Sequence, residues 1–230
     1  MFCRLFTIIC CASLLAAGCK PDPEIPVGFS SMEVEAGLRE TIVIASDSTT
    51  IRLGKYQSFT QANLALVYFP QQDSMLIASM KQTEAGVAKM QEIENLINRA
   101  SELSVRELFP VIQASANQWV IVDPQKILYG NPTDATRFFE LANRQVIYQK
   151  FNPIVVRQLE ATLATLRWNE LLEAYHQIPN APPVQIQLSN YVTDRILDII
   201  FARVAQEESY IRSTPKAQVT PLLQRIYRFT

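Results

Sequence analysis

Apolar residues recur at three- and four-residue spacing along most of the chain, the mark of helices with one buried face. Val34, Leu38, Ile42, Ala45 and Thr49 follow Ser30 and Ser31, either of which can cap a first helix, and Gly54 can stop it. Leu64 to Phe69 is apolar and ends at Pro70, consistent with either a short extended segment or a buried turn. From Thr83, a long helix presents Val87, Met90, Ile93, Ile97 and Ala100 on one face and Glu94, Asn98 and Glu102 on another. Pro110 kinks that helical stretch or divides it from the next. At Gly130 to Asp134 the punctuation predicts a new helix: Gly130 closes the previous one, Asn131 caps, Pro132 fits the first turn and Asp134 complements the free amides. Asn152 and Pro153 repeat that signal and predict a further helix with Val155, Leu159, Leu163 and Leu166 on one stripe. A short helix carrying Leu171, Leu172, Tyr175 and Ile178 ends before Pro179, Pro182 and Pro183. Ser189 can cap a last long helix whose Val192, Ile196, Leu197, Ile199, Ile200, Phe201, Val204 and Ile211 wrap most of its circumference, which makes it central. A final short helix is expected from near Pro215 to the carboxyl terminus.

Composition reinforces this pattern. Only six glycines occur in 230 residues, too few to supply many tight hairpins, and 48% of residues are apolar, enough for one sizeable core. The expected fold is all-α, a single multi-helix, bundle-like domain.

The first nineteen residues read differently. Arg4 precedes the uncharged apolar stretch Leu5 to Ala17, which is roughly a dozen residues long and too short for a stable membrane span. Leu15-Ala-Ala-Gly-Cys19 closes it with small residues before a cysteine, and Cys3, Cys10, Cys11 and Cys19 are the chain's four cysteines. A disulfide framework in the folded domain is therefore excluded. The closing motif resembles the bacterial lipobox, although Ala16 stands where Leu is commonest. That resemblance implies diacylglyceryl modification of Cys19 and cleavage after Gly18; the alternative is an ordinary secretory signal cut after an Ala-x-Ala-like site. Two or more acyl chains would anchor the product durably. Lys20, where an Asp would signal retention in the inner membrane, points to the periplasmic face of the outer membrane. The expected organisation is a signal peptide over residues 1–18, a proline-rich lipidated tether over 19–29 and one helical domain over 30–230.

Charge and motifs narrow the chemistry. Twenty-one basic residues are scattered among 22 acidic ones, with no basic stripe, so nucleic acid is not an expected partner. His176 is the single histidine, and with no cysteine after Cys19 thiol catalysis, zinc–thiolate and iron–sulfur sites are excluded. No cofactor or metal is expected, although a carboxylate cluster for Mg2+ or Ca2+ is a minor alternative. What remains is carboxylates and arginines. Glu94, Asn98, Arg99 and Glu102 on one helix, and Glu207, Glu208 and Arg212 on the last long helix, could converge with Asp134, Thr136 and Tyr191 in one polar network if the two helices pack together. Glu102, Glu208 and Arg212 are the catalytic candidates in that set, whereas the plainer alternative is salt bridges and caps that fix packing. Phe138, Phe139, Tyr148, Phe151 and Trp168 could line an apolar pocket or simply form core.

Several stretches occur together in order along nearly the whole mature chain: Glu35-Ala-Gly-Leu-Arg-Glu40, Asn98-Arg-Ala-Ser-Glu102, Ile127-Leu-Tyr-Gly130, Asp134-Ala-Thr-Arg-Phe-Phe139, Phe151-Asn-Pro-Ile-Val155, Asn190-Tyr-Val-Thr193 and Glu207-Glu-Ser-Tyr-Ile-Arg212. In these the chain resembles the bacterial family termed domain of unknown function 4197, whose members are exported and often lipid-anchored; Lys55 to Met80 departs from the pattern. The resemblance implies a mostly helical fold and no established activity. The leading functional expectation is a non-catalytic binding or accessory module of the cell envelope, tethered to a membrane and contacting an envelope protein, a lipid or a peptidoglycan-related partner. The alternatives are an envelope hydrolase working through carboxylates and a purely structural lipoprotein.

Overall fold

The computed structural model describes residues 28–59 and 66–228. The signal peptide, Cys19 and most of the tether lie outside the described residues, as do residues 64 and 65. Among the described residues the fold is all-helical, with no strand. It comprises α1 (Ser31–Leu53), α2 (Ser74–Met80), α3 (Glu84–Val105), α4 (Phe109–Gln118), α5 (Pro124–Leu128), α6 (Asp134–Ala161), α7 (Ala164–His176), α8 (Leu188–Ser213), a 3-10 turn (Pro215–Ala217) and α9 (Pro221–Ile226). Helix α8 is central: α6 packs along one side and α1 along another, while α3 lies against α6 and α7. Among the described residues no helix is long and apolar enough to cross a membrane.

Helix α1 starts with a capping box. The Glu33 amide donates to Ser30 Oγ (3.3 Å), and the Ser30 amide donates back to Glu33 Oε2 (3.1 Å). Its expected stripe, Val34, Leu38, Ile42 and Ala45, is fully buried, and Gly54 is the C-cap. Pro110 divides as its missing N–H requires, falling in the first turn of α4 after α3 ends.

Other expectations need correction. Asn152 and Pro153 start no helix, because α6 runs through Pro153 without a break. Phe151 and Val155 are both buried on either side, so packing holds the helical register. Pro153 itself faces water, where the carbonyl left without its donor can be solvated. Asn152 instead donates to Thr193 Oγ1 on α8 (3.0 Å). The helix ends at Ala161, and Leu163 just beyond it adopts a left-handed conformation with φ 66°. That turn rotates Leu163 and Leu166 off the Val155–Leu159 stripe and leaves both exposed.

Val87 is also exposed, because the first turns of α3 overhang the core and burial begins at Ile93. Ile178, expected on the buried face of α7, lies beyond that helix's end and is exposed. Neither Asn131 nor Ser189 caps a helix: α6 and α8 begin after Thr133 and Gln187, and neither of those residues makes a side-chain cap bond. The carboxyl-terminal segment is two pieces, the 3-10 turn and α9, in place of one helix. The region between α1 and α3, ambiguous in the sequence, contains the short helix α2 and an extended run over residues 66–70.

Candidate functional site

Apart from Glu207, the polar residues singled out from the sequence fall into two separate clusters. The first is a ladder on α3. Phe69 N donates to Glu94 Oε2 (2.7 Å). One turn along, Asn98 holds Val67 from both sides, accepting from its amide at Oδ1 (2.9 Å) and donating from Nδ2 to its carbonyl (3.0 Å). Glu102 accepts from the Phe59 amide at Oε1 (3.3 Å) and pairs through Oε2 with Arg99 Nη1 (2.8 Å). The geometry comes from two repeats. Four residues of helix rise about 6 Å and two residues of extended chain about 6.6 Å, so side chains at i and i+4 can meet alternate amides of a strand-like segment. The polar face of α3 thus supplies the partners that a neighbouring strand would otherwise supply. Tyr191 of α8 joins from the far side, its hydroxyl donating to the Tyr68 carbonyl (3.1 Å).

The second cluster joins α5, α6 and α8. Glu208 is completely buried and accepts from the first free amides of α6, Ala135 N (2.9 Å) and Thr136 N (2.6 Å). Arg212, one turn further along α8, donates Nε to Glu208 Oε1 (2.9 Å). Its Nη1 and Nη2 reach the Leu128 (2.8 Å) and Ile127 (3.2 Å) carbonyls at the end of α5. A carboxylate therefore sits at the positive end of one helix and a guanidinium at the negative end of another. Local caps are unnecessary at α6 because α8 supplies one. Asp134 adds a further turn of the cluster, accepting from Asn131 N (2.9 Å) and Arg137 Nε (3.0 Å). Burial raises the Asp134 pKa, but the Asn131 amide and the Arg137 guanidinium outweigh it, and the net shift is downward. Gly130 is required beside it, since a Cβ there would run into Asp134 Oδ2 and the Lys126 carbonyl. The Arg212 guanidinium also stacks 5.3 Å from the Tyr227 ring, whose hydroxyl bonds Thr41 Oγ1 (2.7 Å). Burial is the main cause of a raised Tyr227 pKa.

One open concavity with a strongly apolar lining is a groove of about 410 Å³ bordered by Trp119, Val120, Val122, Lys126, Phe138 and Leu141. The two polar clusters do not line it.

The family described as protein of unknown function (DUF4197) matches residues 28–228. The chain belongs to that family. No curated protein and no solved structure matches it.

The remaining candidates of this DUF4197 member lie apart from both clusters. Glu207 turns toward α1, pairing with Arg52 Nη1 (2.8 Å) and accepting from Ser48 Oγ (3.3 Å). The aromatic residues do not gather around one pocket. Phe139 packs against Trp119 and Phe201, Trp168 packs against Phe69, and only Phe138 of the set borders the groove. His176 is exposed beside Tyr175. Among the described residues, no group of three or more His, Cys, Asp or Glu side chains is placed to hold a metal ion.

The sequence pattern located the carboxylates and the nearby arginines Arg99 and Arg212, but not the main-chain amides that the carboxylates also accept from. An amide or carbonyl at a helix end leaves no residue-type signal. The groove was missed as well, although the unbroken apolar run from Trp119 to Val122, ended by Asp123 and Pro124, marks it in the sequence.

Proposed function

We propose that this protein is a lipid-anchored lipoprotein of the cell envelope whose helical domain is a non-catalytic binding or accessory module, held at the periplasmic face of the outer membrane. The lipobox-like ending at Cys19, the short apolar leader and Lys20 support the anchoring and its destination. One observation carries the non-catalytic reading: the carboxylates best suited to acid–base work already serve as internal acceptors. Glu102 is taken up by Phe59 N and Arg99, and Glu208 by two α6 amides and Arg212. A general acid or base must reach a substrate proton within hydrogen-bonding distance. Both side chains are buried to within 1% of complete and face protein on every side that carries a bond.

The test replaces Glu102→Gln and Glu208→Gln separately in the full-length chain and expresses each in cells deleted for the protein. Lower thermal midpoints with full complementation at low growth temperature are expected. Lost complementation by a variant that is folded and present at normal level would overturn the reading. Labelling with a palmitate analogue checks the anchor: wild type should be tagged, and a Cys19→Ala chain that is still labelled would remove Cys19 as the attachment point.

A further inference from the structure

The extended run after α4 alternates sharply. Trp119 and Ile121 turn into the core, whereas Val120 and Val122 stand outward, 79% and 93% exposed. Across the groove, Leu141 of α6 is 74% exposed. Three aliphatic side chains bordering one concavity are thus left in water, and single scattered apolar residues would not form such a face.

Its place in the fold ties this face to the amino terminus. Arg39 of α1 donates Nε (3.2 Å) and Nη2 (2.9 Å) to the Trp119 carbonyl, and Ser31 bonds the Gln125 side chain just beyond the run. The groove is therefore fixed beside the first turns of α1, where the chain from Cys19 arrives. Met32, on that first turn, is 79% exposed. Nine residues separate Cys19 from Phe29, and the ten steps between them, at about 3.1–3.6 Å each, reach about 36 Å at most. An acylated Cys19 would hold this end of the domain within that distance of a lipid surface. One cation, Lys126, lines the groove, while Arg137, 4.0 Å over the Phe138 ring, is paired with Asp134. The acid in the lining, Asp123, is occupied in capping α5 through the Lys126 amide (3.1 Å). An apolar strip with a lysine at its edge matches the boundary between acyl chains and headgroups.

We propose that the face formed by Val120, Val122 and Leu141 docks on the phospholipid surface to which the tether leads, so that the domain lies against the membrane in one orientation. This rests on the anchoring proposed for Cys19. A second copy of the chain or another protein would be the competing occupant.

The test uses the mature lipoprotein reconstituted into vesicles of phosphatidylethanolamine and phosphatidylglycerol. Since no cysteine follows Cys19, a single new one can be labelled. An environment-sensitive fluorophore is placed at Val122→Cys or, as a control on a helix that does not line the groove, at Val87→Cys. Blue-shifted emission at position 122, quenched by brominated lipid, is expected, with a water-like signal at position 87. Adding Val120→Ser with Leu141→Ser, both exposed and outside the core, should lower the bound-to-free ratio read at position 122 by about tenfold or more. Equal signals at the two positions would overturn the proposal. So would shielding at position 122 that persists in detergent and grows with protein concentration, which would assign the face to a second copy. The mass of the mature chain separates the two readings. A chain without acyl groups would defeat the anchoring, while the probe response of that same chain added to the vesicles would still decide whether the face binds lipid.

Discussion

Glu208 with Arg212 and the α3 ladder are both buried polar arrangements, yet they hold different things. The α8 pair bridges two helix ends, its carboxylate on the α6 amides and its guanidinium on the α5 carbonyls, and both charges are almost completely removed from water. Three helices are pinned by two side chains, so nothing at this junction can loosen without exposing the rest. The ladder fastens an extended segment to one helix. Its middle rung is the neutral Asn98, and Arg99, the cation at its end, is 38% exposed. The first arrangement ties three helices together at once; the second holds one segment to one helix, although Val67 and Phe69 of that segment are themselves buried.

The strongest way to break this comparison is Arg212→Met. Glu208 would keep its two amides but lose the cation paired with it, and an uncompensated buried charge costs about 3–5 kcal/mol. The whole domain should unfold as one unit with a thermal midpoint lowered by roughly 10 °C, as read by circular dichroism. A midpoint within a degree or two of wild type would mean that the pair does not hold the three helices together. Next in size is Asn98→Ala, which leaves the Val67 amide and carbonyl without partners at a cost of about 1–3 kcal/mol. Here the effect should be local. Amide exchange at Val67 and Phe69 should accelerate while protection along α8 stays unchanged; uniform acceleration would place the ladder in the same cooperative unit as the junction.

The smallest effect is the pH dependence contributed by Asp134. Its folded pKa lies below the ordinary 3.8. Its contribution is therefore fully present above that ordinary value and is lost as pH falls through the lower folded one. Asp134→Asn should flatten the acid-side decline in thermal midpoint below about pH 4. An unchanged slope would show that other carboxylates govern acid unfolding.

Helices whose apolar stripe and end signals agree were legible in the sequence. In α1 a serine cap at Ser30 or Ser31, the Val34 to Ala45 stripe and Gly54 all indicate the same span, and the structure selects Ser30 with Glu33. Where local signals and packing disagreed, packing prevailed: Asn152 and Pro153 have the form of a helix start, but Phe151 and Val155 bury against the core on both sides of them. The candidate site was half legible. Spacing put Glu94, Asn98 and Glu102 on one face and Glu208 one turn from Arg212. It could not show that α3 and α8 use these residues toward different neighbours.

The sequence by itself determined the helical class, through helical periodicity in a chain with few glycines, and the thiol-free character of everything after Cys19, which covalent composition alone decides. Tertiary structure decided what the buried charges do. A carboxylate meets a helix's positive end, or an asparagine meets an extended segment's amide, only once distant parts of the chain are packed together. The main-chain groups they satisfy have the same chemistry at almost every position.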